Sequence, residues 1–215
     1  MSHAAQQMDR MYRAQRHIYN TTRKFYLLGR DRLIDGLQPA AGQTVLEIGC
    51  GTARNLVRAA QFYPTARFYG VDVSNEMLIT ARRAIARAGL SDRITLAWAD
   101  ATDFDSVQVF GVASFDRIFL SYTLSIIPPW QAALDQAGRH LATNGSLHIV
   151  DFADCAGLPG WIRRGLFRWL KAFSVEPRTN LVAVLAGIAV ARHLSVTTTP
   201  LFRGYARHTR AVREA

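Results

Sequence analysis

Lysine is nearly absent from this 215-residue chain: only Lys24 and Lys171 appear among 26 basic side chains, and arginine supplies the rest. Cysteine is equally sparse. Cys50 and Cys155 form no disulfide framework and have no metal-ligand spacing, so neither a stapled scaffold nor a bound metal is expected. Long apolar runs are missing too. The longest, 181–191, falls far short of the roughly 20 residues that a spanning helix needs. The first ten residues are polar and lack the apolar stretch of a signal peptide. These absences predict a cytoplasmic protein whose membrane contact is peripheral. Neither an internal repeat nor a low-complexity segment occurs.

The chain is 49% hydrophobic and 20% charged, a composition and length that suit one large domain with a real core. Its net charge of +10 is unusual for an enzyme of small soluble substrates. It suits a polyanion, an anionic membrane surface, or simply an arginine-rich codon usage.

From residue 44 onward, short β-rich runs alternate with helical patterns. Strands are predicted over 44–48, 67–72, 94–99, 115–120 and 146–152, with helices near 54–63, 75–88 and 131–141 between them. Such alternation means parallel strands joined by crossover helices, hence a Rossmann-like, doubly wound α/β sheet. A basic helical segment over 5–37 precedes it. Two further helices over 158–173 and 180–193 follow, then a hairpin over 195–212 turning at Arg203 and Gly204. The expected organisation is a single domain of about seven strands, mostly parallel, with an antiparallel C-terminal hairpin and an added N-terminal helix. Within it, 1–43 is a cap, 44–152 a cofactor-binding core, and 153–215 a substrate- or membrane-facing part.

Ligands of doubly wound sheets sit beyond the carboxyl ends of the strands, where the distinctive residues of this chain fall. The first strand and its turn read VLEIGCGTARN over 45–55. Gly49 and Gly51 permit a tight turn and close approach of backbone to a ligand. Glu47 argues against a diphosphate, which its charge would repel, and for a sulfonium bearing an α-amino group. The second strand ends in Asp72, about 20 residues after the glycines, where an acid can accept both hydroxyls of a ribose. A helix-capping role competes for Asp72, but Ser74 is the better cap for the next helix. Met77 can pack on an adenine or in the core. Asp100 can accept from the adenine amino group while the Ala101 N–H donates to the ring.

These motifs, with FDRIFLSY over 115–122, resemble the ordered motifs of class I S-adenosylmethionine-dependent methyltransferases across roughly residues 44–152. The resemblance implies S-adenosyl-L-methionine as cofactor and S-adenosyl-L-homocysteine as product. It places Glu47, Gly49, Cys50, Gly51, Asp72, Val73, Met77, Asp100, Ala101 and Ser121 around that cofactor. Ala53 stands where the family often has a third glycine. Alanine prefers negative φ but is small, so a modest effect on affinity is expected. Asn144 also stands where glycine is common.

The acceptor is read from the flanking segments. Exocyclic base methyltransferases resemble one another in an Asn/Asp-Pro-Pro-aromatic motif after the fourth strand. This chain has Ser121-Tyr122-Thr123-Leu124 there, and Pro128-Pro129-Trp130 comes too late, so nucleic acid is not expected. The helix over 158–173 instead gathers Trp161, Ile162, Leu166, Trp169, Leu170 and Phe173 on one face. Arg163, Arg164, Arg168 and Lys171 take the other, with Phe167 an apolar intruder. A basic amphipathic helix with tryptophans suits an anionic lipid interface, and equally a solvated helix packed on the sheet. Tyr12, Tyr19 and Tyr26 are spaced by seven and share a helical face, either as packing or as the wall of an acceptor pocket suited to a cationic amine.

Longer stretches resemble the betaine-lipid N-methyltransferases, which methylate diacylglyceryl homoserine three times. They are MDRMYRAQRHIY over 8–19, TRKFYLLGRDRL over 22–33, LSYTLSIIP over 120–128 and HIVDF over 148–152. That resemblance implies a membrane-lipid acceptor, Tyr122 and Tyr19 at the reacting centre, and Tyr12, Tyr26, Arg23 and Arg30 around the substrate. An arginine near the amine pocket would take the homoserine carboxylate. His148 and Asp151 are further candidates for a proton acceptor, though His148 within a strand also suits the core. Two other readings stay open: a phosphatidylethanolamine N-methyltransferase, and a non-catalytic cofactor-binding protein with a polyanion-binding surface.

Overall fold

A computed structural model describes residues 27–214 of the chain. Seven strands form one sheet in the order β3-β2-β1-β4-β5-β7-β6. They are β1 (Thr44–Ile48), β2 (Arg67–Asp72), β3 (Ile94–Trp98), β4 (Phe115–Ser121), β5 (Leu141–Phe152), β6 (Leu194–Leu201) and β7 (Ala206–Arg213). The first five are mutually parallel; β7 runs antiparallel between β5 and β6. The connections run outward from β1 through β2 to β3, then return to β4 on the other side of β1. That reversal is the topological switch point at which such sheets bind ligands.

Seven helices lie among the described residues: α1 (Arg30–Leu37), α2 (Arg54–Phe62), α3 (Asn75–Arg87), α4 (Ser106–Phe110), α5 (Trp130–Arg139), α6 (Gly160–Ala172) and α7 (Leu181–Arg192). Because strand side chains alternate between faces, the sheet feeds two apolar cores. Val45, Phe119, Val150 and Phe152 join Leu33, Ile34 and Leu37 of α1, Leu56 and Ala59 of α2, and Leu78 and Ile85 of α3. Leu46, Ile48, Ile118, Leu120 and Ile149 join Trp130, Ala133 and Leu134 of α5 and Leu181 and Leu185 of α7.

Local chemistry sets most boundaries. The Ser74 hydroxyl caps α3 by accepting from Met77 N–H, as the sequence predicts. Gly29, at φ 87°, opens α1 only at Arg30, so the predicted 5–37 helix is interrupted at residues 27–29. The rest of that segment, through residue 26, lies outside the described residues. β5 starts at Leu141, five residues before the predicted strand, across a register shift between Phe115 and Arg117.

The helix α6 orients differently from its predicted wheel. Leu166, Phe167 and Phe173 pack toward the core with buried Leu170, whereas Trp161 is 71% exposed and Trp169 39%. Phe167, the expected intruder, therefore faces inward and both tryptophans face outward with the arginines. Among the described residues, no helix is long and apolar enough to cross a membrane.

Candidate functional site

At the switch point, β1 delivers Glu47 into the protein with only 1% of its surface exposed. Gly49 follows at φ 74°, and a methyl built on it would stand 2.4 Å from Thr123 Cγ2, so any side chain there would collide with the segment leaving β4. The turn is held to β2: the Gly49 and Cys50 N–H groups donate to Val71 O over 2.9 and 3.0 Å. Gly51 N–H donates to Asp72 Oδ2 over 2.7 Å, and Ser74 N–H to Asp72 Oδ1 over 2.9 Å. Asp72 thus braces the loops on both sides of it.

Glu47 has a partner on one oxygen only. Asn55 Nδ2 donates to Oε1 over 2.8 Å, while buried Oε2 has no partner. Burial pushes this carboxyl up to about 8, against the pull of the Asn55 hydrogen bond and with a further push from Asp72. A buried acceptor left unpaired costs free energy, and a cationic ligand beside it removes that cost. The same burial, with Asp72 and Glu47 nearby, drives the Cys50 thiol well up, so it stays neutral.

A cavity of about 650 Å³ opens over this turn, within the size range of small-molecule sites. Glu47, Gly49, Cys50, Gly51, Asp72 and Val73 line it, together with Asp100, Ala101, Ser121, Tyr122 and Arg30. Asp100 is fixed by an Asx-type turn, its Oδ1 accepting from Thr102 N–H over 2.9 Å and from Thr102 Oγ1 over 2.7 Å. Ser121 Oγ is buried without a partner. Arg30 also lines the cavity, its Nε donating to Leu27 O over 3.0 Å, and its charge favours the ionised form of Glu47.

Tyr122, at φ 55°, donates its hydroxyl to Leu28 O over 2.6 Å. Burial pushes the phenol well above its usual range, with Asp151 adding to the shift. The phenol therefore stays protonated and tethers the end of β4 to Leu28.

Other expected residues fall elsewhere. Met77 is buried in the first turn of α3 and is not among the residues that line the cavity. His148 lies in the interior of β5, with Nε2 2.9 Å from Ser146 Oγ and its ring stacked on His208. Burial and the neighbouring His208 push it down to about 3. Asp151 accepts from Ser125 and Phe152 N–H, and burial lifts it to about 6. Neither lines the cavity, so neither is placed to take a proton from an acceptor. Tyr12, Tyr19, Arg23 and Tyr26 lie outside the described residues.

The sequence reasoning missed Asn55, whose signal was a polar side chain at an inward-facing position on the first turn of α2. It also missed the rim after β4, where Ile126, Ile127, Pro128 and Pro129 line the cavity. Ala53 differs from expectation as well: it adopts φ 59°, the left-handed conformation that a glycine would supply.

Residues 45–145 match the family model described as a methyltransferase domain. An O-methyltransferase of Penicillium expansum, cnsE, is 30% identical over 54% of this chain and 40% of its own length. The chain spans less than half the length of the first curated relatives it matches. Among solved structures, an O-methyltransferase family protein from Burkholderia thailandensis superposes with a TM-score of 0.76 at 17% identity, over 97% of this chain and 63% of that one. Phosphoethanolamine N-methyltransferase 2 of Haemonchus contortus, in complex with S-adenosyl-L-methionine, gives 0.69 at 16% identity, over 86% and 52%. The orphaned Glu47 oxygen and the braced glycine turn lie within residues 45–145, the stretch similar to the methyltransferase-domain model, and their chemistry suits S-adenosyl-L-methionine as cofactor.

Proposed function

We propose that this chain is an N-methyltransferase that methylates the amino group of diacylglyceryl homoserine, in successive rounds, at an anionic membrane surface. The observation that carries the reading is the cavity's division of labour. Glu47 presents an unpaired acceptor to the cavity, Arg30 a cation, and Leu27, Ile126, Ile127 and Pro128 an apolar lining. That set fits a sulfonium cofactor beside a headgroup that carries both an amine and a carboxylate. The outward-facing tryptophans and arginines of α6 suit a lipid-borne acceptor.

The cofactor supplies an electrophilic methyl group, and the protein supplies placement. Glu47, Asp72 and Asp100 would hold the cofactor; Tyr122 fixes the wall against which the amine would lie. Arg30 pairs with the homoserine carboxylate and so turns the free amine toward the methyl group. In-line displacement needs little acid–base help, and orientation of this kind can contribute about 7–11 kcal/mol. The proton shed between rounds passes to solvent.

The test is lipid mass spectrometry after incubating the protein with S-adenosyl-L-methionine and a total lipid extract. Mass should rise in steps of one methylene on the homoserine lipid class. Gains confined to phosphatidylethanolamine, or to quinones and phenols, would replace this reading with another acceptor.

A further inference from the structure

The tip of the β6–β7 hairpin holds two consecutive non-glycine residues in the left-handed region, Phe202 at φ 51° and Arg203 at φ 58°, before Gly204 at φ 78°. L-residues seldom adopt this conformation, and a pair of them marks a turn held by its surroundings. The surroundings are visible. Gly157 N–H donates to Arg203 O over 3.0 Å, and Cys155 N–H to Gly204 O over 2.8 Å. Behind the tip, a methyl built on Gly29 would stand 2.8 Å from Leu201 Cδ1 and 3.6 Å from Phe202 Cε2. Gly29 separates Leu27 from Arg30, both of which line the cavity. The tip is therefore wedged between the cavity rim and the segment that opens α6.

What this wedge presents outward is apolar and cationic. Phe202 is 53% exposed and Trp161 71%, and Arg203, Arg163 and Arg164 are exposed beside them. The acid nearest the tip, Asp154, is paired with Arg207, and α6 contains no acid. Aromatic rings ringed by uncompensated arginines match the chemistry of an anionic lipid interface, where rings sit at headgroup depth and guanidinium groups meet phosphate.

We propose that the hairpin tip and the head of α6 form one membrane-docking face beside the cavity mouth, with Phe202 and Trp161 seated in the bilayer and Arg203, Arg163 and Arg164 on its anionic headgroups. This deepens, and rests on, the reading of a lipid acceptor: a headgroup then reaches the cavity past Leu27 without leaving the membrane.

The test uses the full chain and sedimentation with vesicles of phosphatidylcholine and phosphatidylglycerol, against phosphatidylcholine alone. Asparagine tolerates the left-handed region, so Phe202→Asn and Arg203→Asn keep the turn while removing ring and charge. Phe202→Asn should weaken binding to the anionic vesicles about tenfold, as expected for one buried aromatic, with S-adenosyl-L-homocysteine affinity unchanged in calorimetry. Arg203→Asn should flatten the dependence on phosphatidylglycerol. Wild-type binding that neither variant alters, or retention by duplex RNA without sedimentation, overturns the docking face. Variants that lose vesicle binding and cofactor affinity together overturn it too, since the tip then serves only the fold. Methylation of detergent-dispersed lipid by a protein that ignores vesicles would sink this inference alone. Vesicle binding without methylation of any lipid amine would sink the acceptor reading alone.

Discussion

The hydroxyl of Tyr122 donates to the carbonyl of Leu28 over 2.6 Å, joining the end of β4 to a segment 94 residues earlier in the chain. Leu27 and Arg30 flank that carbonyl and line the cavity, so the bond positions a wall. Tyr122→Phe removes it at a net cost of about 1 kcal/mol. Turnover should then fall by about tenfold or less, with a raised KM for the acceptor and little change in cofactor affinity. A general base would cost about 10²- to 10⁴-fold. Steady-state kinetics of the variant separate the two, and a loss of the larger size would make the phenol a proton acceptor.

Ala53 offers a test of backbone strain. Its left-handed φ costs about 1–2 kcal/mol relative to glycine. Replacing it with glycine also forfeits about 0.5–1 kcal/mol in chain entropy and about 0.8 kcal/mol for a methyl group that is wholly buried. These contributions nearly cancel, so Ala53→Gly should leave the melting temperature within about 2 °C. Ala59, equally buried but inside α2, gains no strain relief. Ala59→Gly should cost about 1.5–2 kcal/mol, a drop of about 3–8 °C. Calorimetric melting of both variants checks the contrast; equal losses would mean that Ala53 is not strained.

Much of this was legible in the sequence because strand ends and turns are local matters. Gly49, Glu47, Asp72 and Asp100 stand at the carboxyl ends of β-rich runs, and the doubly wound topology brings such ends together whatever the tertiary detail. Residues whose roles depend on a distant partner were not legible. Nothing near Tyr122 in the sequence points to Leu28, and nothing near Gly29 points to Leu201. The wheel of α6 erred for the same reason: periodicity counts apolar positions, but the core accepted Phe167 and left both tryptophans outside. Asn55 was missed because a polar residue on a first helical turn ordinarily reads as solvated.

The raised Glu47 carboxyl makes stability and binding pH-dependent with opposite signs. A carboxyl that moves from its usual 4.5 to about 8 on folding binds more protons in the native state. Its contribution to stability is full below about 4.5 and is lost as pH rises toward about 8. A cationic cofactor, in contrast, prefers the carboxylate. Affinity for S-adenosyl-L-methionine should therefore strengthen between pH 6 and about 8 and level off above. Glu47→Gln should flatten both trends and weaken binding. Isothermal titration across this range is the check, and an unchanged slope in the variant would assign the titration to another group.

His148 sets the opposite, acid limit. It lies under α1, with Ser146 on its own strand, His208 and Arg210 on β7 and Arg117 on β4 around it, and Gly36 of α1 close to its Nδ1. Every charged neighbour is cationic, so protonation gains nothing, and burial holds the ring at about 3 against its usual 6.5. A group depressed in this way contributes stability that is full above about 6.5 and is lost as pH falls toward 3. Because α1 carries Arg30 and the chain leading to Leu28, acid that charges this pair should loosen the cavity wall along with the fold. His148→Gln keeps a polar side chain that does not titrate and should lower the midpoint of acid unfolding by about one pH unit. Circular dichroism between pH 7 and 3 measures that midpoint. A variant that unfolds at the same pH as wild type would move the acid limit onto the carboxylates instead.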